Sequence, residues 1–175
     1  MLQFVTKKEY WNVVDSGILK KLRPKSRCFG ILTSIRNKIR RKNNITWSLK
    51  SVQDAIAYKY LHKYSNVTIA EIGGGESRVL PALAVKNNCY NIEEFKGVGQ
   101  GPQKEIHLKG VTNILTSIGN FSKLIIDEQF DVIFSISVVE HVSNEKLYDF
   151  FKDCFRILKP SGKMIHLIDV YIEDT

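Results

Sequence analysis

The 175-residue sequence lacks most of the marks of a secreted, membrane-spanning or metal-holding chain. Cysteine is scarce: Cys28, Cys89 and Cys154 are odd in number and far apart. That spacing suits neither a disulfide framework nor a zinc site, so reduced thiols in a cytoplasmic protein are expected. No apolar run approaches the roughly 20 residues needed to cross a bilayer, which predicts no membrane span. Met1–Val5 runs straight into charged residues without an apolar leader core, so no secretory signal is expected. Internal repeats and low-complexity segments are absent as well.

Acids are missing from one long stretch. Lys20 to Lys50 carries eleven Lys or Arg and no Asp or Glu, and it accounts for the net charge of +8. Such a block can meet phosphate backbones, anionic head groups or an acidic substrate. It also lacks the interleaved aromatics of a single-strand-binding platform, so a solvated basic arm stands beside those readings.

What is present is globular. The apolar fraction is 43%, with two Trp, seven Tyr and nine Phe, and 175 residues suit one α/β domain with a substantial core. Ile31, Leu32, Ile35 and Ile39 recur at helical spacing within the basic region, predicting a short amphipathic helix. A second helix is expected from Ser51, as cap, to Ser65-Asn66, with Val52, Ala55, Ile56, Tyr60 and Tyr64 on one face. Val67–Ile72 reads as a buried strand. A helix with Pro81 in its first turn follows, running to Asn87-Asn88.

Cys89–Ile92 and Val111–Leu115 are further strands, separated by a glycine-rich loop from Gly97 to Pro102. Phe130–Ile136 is the clearest later strand. Ser143 then caps a helix whose Leu147, Phe150, Phe151, Cys154, Phe155 and Leu158 form a stripe at the α-helical period. Lys159–Gly162 ends that helix, and Met164–Ile168 is the last strand. Alternation of strands and helices predicts a doubly wound, mostly parallel Rossmann-like sheet with helices on both faces. Two parts are expected: a basic, partly helical region over 1–50 and the α/β domain over 51–175.

The motif with most chemical content is Glu71-Ile72-Gly73-Gly74-Gly75. Glycines between a buried strand and a helix permit backbone angles closed to other residues and let a ligand approach the main chain. A tight turn with no ligand has the same composition. The flanking residues narrow the ligand class. Gly75 is followed by Glu76-Ser77-Arg78 rather than Lys-Ser/Thr, which excludes a P-loop, and Arg78 stands where the dinucleotide fingerprint wants a third glycine. An acid before the glycines repels pyrophosphate and suits a cationic amino-acid group.

On these residues the sequence resembles the class I (Rossmann-like) S-adenosylmethionine-dependent methyltransferase family, from about Val67 to the C-terminus. "VTIAEIGGGESRVLPAL" resembles the family's first motif, which implies cofactor contacts at Glu71, Gly73, Gly74 and Gly75. "CYNIEEFKGVGQGP" resembles the second, in which an acid accepts from both ribose hydroxyls; Glu93 holds that position, with Glu94 next to it. The third motif's usual acid is absent from "TSIGNFSKL", which leaves Ser117, Ile118, Gly119 and Asn120 toward the adenine. "FDVIFSISVVEHV" and "DCFRILKPSGKMI" resemble the family's fourth strand, with its turn, and the helix, turn and strand that follow. The resemblance adds Ser135 and Ser137 to the cofactor contacts.

It implies S-adenosylmethionine as cofactor and S-adenosylhomocysteine as product. His141 is the candidate general base, since its unperturbed pKa lies near neutrality; holding the local turn or touching the methionine part of the cofactor are the other roles open to Glu140 and His141. Clustered carboxylates after the fourth strand, which a metal-dependent O-methyltransferase needs, are missing. His62, His107 and His166 show no metal-ligand pairing, so no metal is predicted. A complete sheet of the family has seven strands, and five are counted here; an uncovered edge would invite pairing, a homodimer among the outcomes. Three functions remain open: methyl transfer to a small-molecule or saccharide acceptor at O or N, methyl transfer to nucleic acid through the basic block, and a non-catalytic cofactor-binding module.

Overall fold

The computed structural model describes residues 49–97 and 101–170, together with residues 8, 9, 12, 18 and 22. The helix expected over Ile31–Ile39, the basic block apart from Lys50, Cys28 and the middle of the glycine-rich loop lie outside the described residues. The elements run α1 (Leu49–Leu61), β1 (Thr68–Ile72), α2 (Leu80–Leu83), β2 (Asn88–Ile92), β3 (Val111–Ile114), β4 (Phe130–Ile136), α3 (Asn144–Ile157) and β5 (Leu158–Leu167). A single 3-10 turn, Val139–His141, joins β4 to α3.

All five strands pair in parallel, in the order β3-β2-β1-β4-β5. Strand alternation sends each strand's side chains to two separate cores. On one face Ile69, Cys89, Val132, Phe134 and Ile136 pack under Ala57 and Leu61 of α1 and Leu80 and Leu83 of α2. On the other, Ala70, Ile72, Ile92, Ile114 and Ile133 pack under Phe150, Cys154 and Ile157 of α3. Helices thus cover both faces, as the apolar runs require of a parallel sheet. Truncating Ile133, which is fully buried, costs on the order of 2–5 kcal/mol.

Several expected details are corrected. Ser51 does not cap α1 but lies inside it, because the helix runs Leu49–Leu61. Tyr60 is exposed, and Gln53, Asp54 and Ala57 share the buried face instead. The helix after β1 is a single turn, Leu80–Leu83, not a segment reaching Asn87. Asn87 closes this end another way: its Nδ2 donates to the carbonyls of Tyr64 and Leu83 at 3.1 Å each. Phe155 is 67% exposed, while Asp153 and Ile157 complete the buried stripe of α3.

No helix is found among the described residues between β2 and β3 or between β3 and β4. The Lys159–Gly162 turn is absorbed into β5 as an irregular entry. Leu158 pairs with Phe130, the register then shifts, and Lys163 pairs with Val132. At this amino-terminal end the Asp131 carboxylate accepts from the Thr68 N–H at 2.8 Å and from Lys159 Nζ at 2.9 Å, tying β1, β4 and β5 together.

Candidate S-adenosylmethionine site

The chain runs from β1 outward to β2 and β3, then returns to the other side of β1 for β4 and β5. This reversal opens a crevice at the carboxyl ends of β1 and β4, where open α/β sheets bind ligands. Left-handed backbone marks the exits: Gly73 (φ 66°) and Gly75 (φ 49°) after β1, Phe95 (φ 55°) after β2, and Ser137 (φ 54°) after β4. A non-glycine residue pays roughly 1–2 kcal/mol for that region, so Phe95 and Ser137 are held there by their surroundings. For Ser137 the holders are the Leu167 carbonyl, which accepts its N–H at 2.9 Å, and Gln53 of α1, whose Oε1 accepts its hydroxyl at 3.1 Å.

The glycine turn is shaped by close approach. A Cβ on Gly73 would stand 2.7 Å from Val138 Cγ2, so the turns after β1 and β4 touch at the reversal point. A Cβ on Gly74 would stand 2.6 Å from Asn91 Oδ1 and 3.0 Å from Glu71 Cδ. Gly74 is therefore the lid over two buried polar side chains. Asn91 and Glu71 are register partners on β2 and β1. The Asn91 Nδ2 donates to the Gly75 carbonyl at 3.0 Å and pins the turn from below.

Glu71 is only 4% exposed, and burial pushes its carboxyl up to about 8, against the opposing hydrogen bond from Ser77. The Ser77 hydroxyl donates to Glu71 and accepts the N–H groups of Val79 (3.2 Å) and Leu80 (3.1 Å) at the start of α2. Glu71 therefore reaches a ligand only through the turn above it. Beside it, Asp54 of α1 is ion-paired with Arg78. Burial raises the Asp54 pKa, while Arg78 and Lys50 lower it.

Glu93 stands past the end of β2, half-buried. Its N–H donates to the Ile114 carbonyl at 3.1 Å, and its Oε1 accepts the Phe95 N–H at 3.2 Å. Its Oε2 has no protein partner among the described residues, so it remains able to accept from a ligand hydroxyl. Ile118 is buried in the α3-side core. The Gly119 N–H is taken by Asp153 Oδ2 at 2.8 Å, and Asn120 Nδ2 donates to Ser117 Oγ at 2.7 Å.

Ser135 faces the other way from the Gln53-bonded Ser137. It is fully buried and its hydroxyl shares a hydrogen bond with His166 Nδ1 at 2.8 Å. Burial lowers the His166 pKa. His141 is exposed in the 3-10 turn beyond β4. The structure thus brings Gly73, Gly74, Gly75 and Ser137 together at the reversal point, sets Glu93 at the neighbouring strand end, and turns Ser135 into the core.

Sequence reasoning missed Asn91, Ser77, Gln53, Asp153 and Arg156. Asn91 and Arg156 stand between apolar neighbours, and that was their signal; Ser77, Gln53 and Asp153 each have a charged neighbour and carried none. Cys89 and Cys154, by contrast, are inert: burial pushes both thiols up to about 12. Two open concavities of about 400 and 360 Å³ lie at the amino-terminal end, lined by residues of the β3–β4 loop and the α3–β5 junction. They contain none of the candidate site residues.

A family described as "Methyltransferase domain" matches residues 70–166, from within β1 to within β5. The chain belongs to this family. The match covers more than half of the sequence, including the glycine turn, Glu93 and the 3-10 turn with His141. The cofactor of the class I methyltransferases is S-adenosylmethionine.

Over 90 residues the chain is 32% identical to the mitochondrial ubiquinone biosynthesis O-methyltransferase of Dictyostelium discoideum, covering 51% of this chain and 27% of that protein. It thus spans about a quarter of the length of the curated relative it matches. Among solved structures it is similar to Haemonchus contortus phosphoethanolamine N-methyltransferase 1, in complex with phosphoethanolamine and S-adenosylhomocysteine. That likeness has a TM-score of 0.53 and 13% identity, over 94% of this chain and 34% of the other. The Bacillus subtilis YcgJ protein gives a TM-score of 0.51 and 17% identity, over 65% of this chain and 49% of the other. At these identities the likeness speaks for the fold.

Among the described residues, no helix is long and apolar enough to cross a membrane.

Proposed function

We propose that this chain carries the cofactor half of a methyl transfer from S-adenosylmethionine to a hydroxyl or amine of a small molecule. The observation that carries the reading is the pairing of two features at the carboxyl edge. One is a glycine turn at the reversal point, with a buried acid rather than a phosphate-binding lysine. The other is Glu93 at the next strand end, with an accepting oxygen to spare.

Those residues fit the cofactor. Gly73 (φ 66°) and Gly75 (φ 49°) turn the chain sharply at the strand end in backbone that other residues rarely adopt. Glu93 accepts from vicinal hydroxyls, and no P-loop lysine follows the glycines to meet a pyrophosphate at the same place. Bound there, S-adenosylmethionine supplies a methyl group on a sulfonium, a carbon already activated for displacement. The chain's remaining task is alignment and, for a hydroxyl or ammonium acceptor, removal of a proton. His141 is assigned that proton, because it is exposed just beyond β4 at the crevice edge. Oxygen as the methylated atom is favoured by the 32% identity to the Dictyostelium O-methyltransferase.

Transfer of a labelled methyl group to catechol-like and ethanolamine-like acceptors, read in wild type and His141→Ala, tests this. We expect a turnover drop of about 10²-fold in the variant, with unchanged affinity for S-adenosylhomocysteine. Equal turnover in the two would remove His141 from the chemistry, and no transfer to any acceptor would reduce the chain to a binding module.

A further inference from the structure

The loop that follows β3 has no helix of its own among the described residues, and its local bonds, such as the Ile125 N–H to the Ser122 carbonyl at 3.2 Å and Asn120 Nδ2 to Ser117 Oγ at 2.7 Å, stay within the loop. It is held from α3. Asp153 is 1% exposed, yet it is a carboxylate in the middle of a buried helix face. One of its oxygens accepts the N–H groups of Gly119 at 2.8 Å and Phe121 at 3.1 Å; the other accepts Arg156 Nε at 2.9 Å.

Arg156 completes the grip with its remaining donors. It donates to the Ile125 carbonyl and the Asp127 carboxylate at 2.7 Å each, and to the Ser122 carbonyl at 3.4 Å. The loop lies directly on the helix backbone, since a Cβ on Gly119 (φ 95°) would stand 3.3 Å from the Phe150 nitrogen. All these bonds go to residues 119–127 or within the pair itself. Only the Asp153–Arg156 pair, three residues apart, also supports α3 itself.

We propose that Asp153 and Arg156 are positioning residues for the nucleoside half of the cofactor site, acting through residues 117–121. The inference rests on the cofactor reading above and adds to it. The loop has no acid of its own to meet the adenine, so what it offers is Ile118, Asn120 and main-chain groups, whose placement must come from elsewhere. Asp153 supplies it by binding two loop amides to one carboxylate oxygen. Arg156 pairs with that carboxylate and anchors the distal part of the loop. Charge-assisted bonds of this kind are the stronger class, and their loss leaves two part-buried donors unpaired.

The test uses the full chain, titrated by calorimetry with S-adenosylhomocysteine and with 5′-methylthioadenosine, which carries only the nucleoside half. Asp153→Asn keeps the size but sets an amide against donors. At a temperature where every variant is folded by circular dichroism, it should weaken both ligands by the same factor, about tenfold. Amide exchange of Gly119 and Phe121 in the ligand-free variant should accelerate by a similar factor, and Asp153→Glu should recover part of the affinity.

Wild-type affinity in a folded Asp153→Asn chain, with accelerated exchange, would overturn the proposal and leave Asp153 as scaffolding. Weakening of S-adenosylhomocysteine but not of 5′-methylthioadenosine would overturn it too, by moving the effect to the amino-acid half. A wild-type chain that binds neither ligand sinks the cofactor reading itself, a result distinct from either of these.

Discussion

The turn after β1 and the loop after β3 stand at the same edge of the sheet and are built in opposite ways. The first is made locally. Its glycines, the acid before them and Ser77 after them lie within seven residues, and one neighbouring strand residue, Asn91, pins them from below. The second is made at a distance, by Asp153 and Arg156, more than 30 residues further along the chain. A local device can be read from its own residues. A borrowed one is visible only once the helix is docked.

The comparison breaks most sharply at Asp153. Replacing it by alanine leaves two part-buried loop amides without their acceptor and takes from Arg156 one of its two carboxylates, and should cost about 2–4 kcal/mol in urea unfolding. The glycine turn should keep its structure, since none of its hydrogen bonds passes through α3. A loss under 1 kcal/mol would mean that the loop is held by something else.

At the turn, the sharper probe is pH. Glu71 is raised from 4.5 to about 8 on folding, so between those values the folded chain holds a proton that the unfolded chain has released. Stability contributed by the protonated carboxyl is present below pH 4.5 and is lost as pH rises toward 8. Glu71→Gln mimics the neutral form and should flatten that loss, a difference on the order of 2 kcal/mol or more at pH 8. Urea midpoints of the two proteins across pH 5–8 measure it, and parallel curves would mean that Glu71 is ionised in the fold.

Gly74→Val tests the close approach alone. Its side chain would press on Asn91 and Glu71, and a loss of about 1–3 kcal/mol is expected from overpacking. Thermal melts report it; an unchanged Tm would show that the two polar side chains move aside freely.

These contrasts explain what the sequence disclosed. β1, β2 and β4 were legible to within a residue because buried parallel strands are short β-branched runs bounded by turn residues. The sharp turn after β1 was legible because its glycines are contiguous. Tyr60 and Phe155 were misplaced because periodicity names a face but not its width, and polar residues such as Gln53 and Asp153 took buried places by virtue of distant partners. Ser135 and Ser137 would share a face in a regular strand, but left-handed backbone at Ser137 (φ 54°) turns it to Gln53 while Ser135 stays in the core against His166.

The central claim is that this edge takes S-adenosylmethionine rather than a phosphate-bearing dinucleotide. Calorimetric titration of S-adenosylhomocysteine and of NAD into wild type and Glu93→Ala tests it directly. The account predicts S-adenosylhomocysteine binding that weakens about 10- to 100-fold when Glu93 loses its carboxylate, and no measurable NAD binding to either protein. NAD binding as tight as that of S-adenosylhomocysteine, or S-adenosylhomocysteine binding indifferent to Glu93, would contradict it.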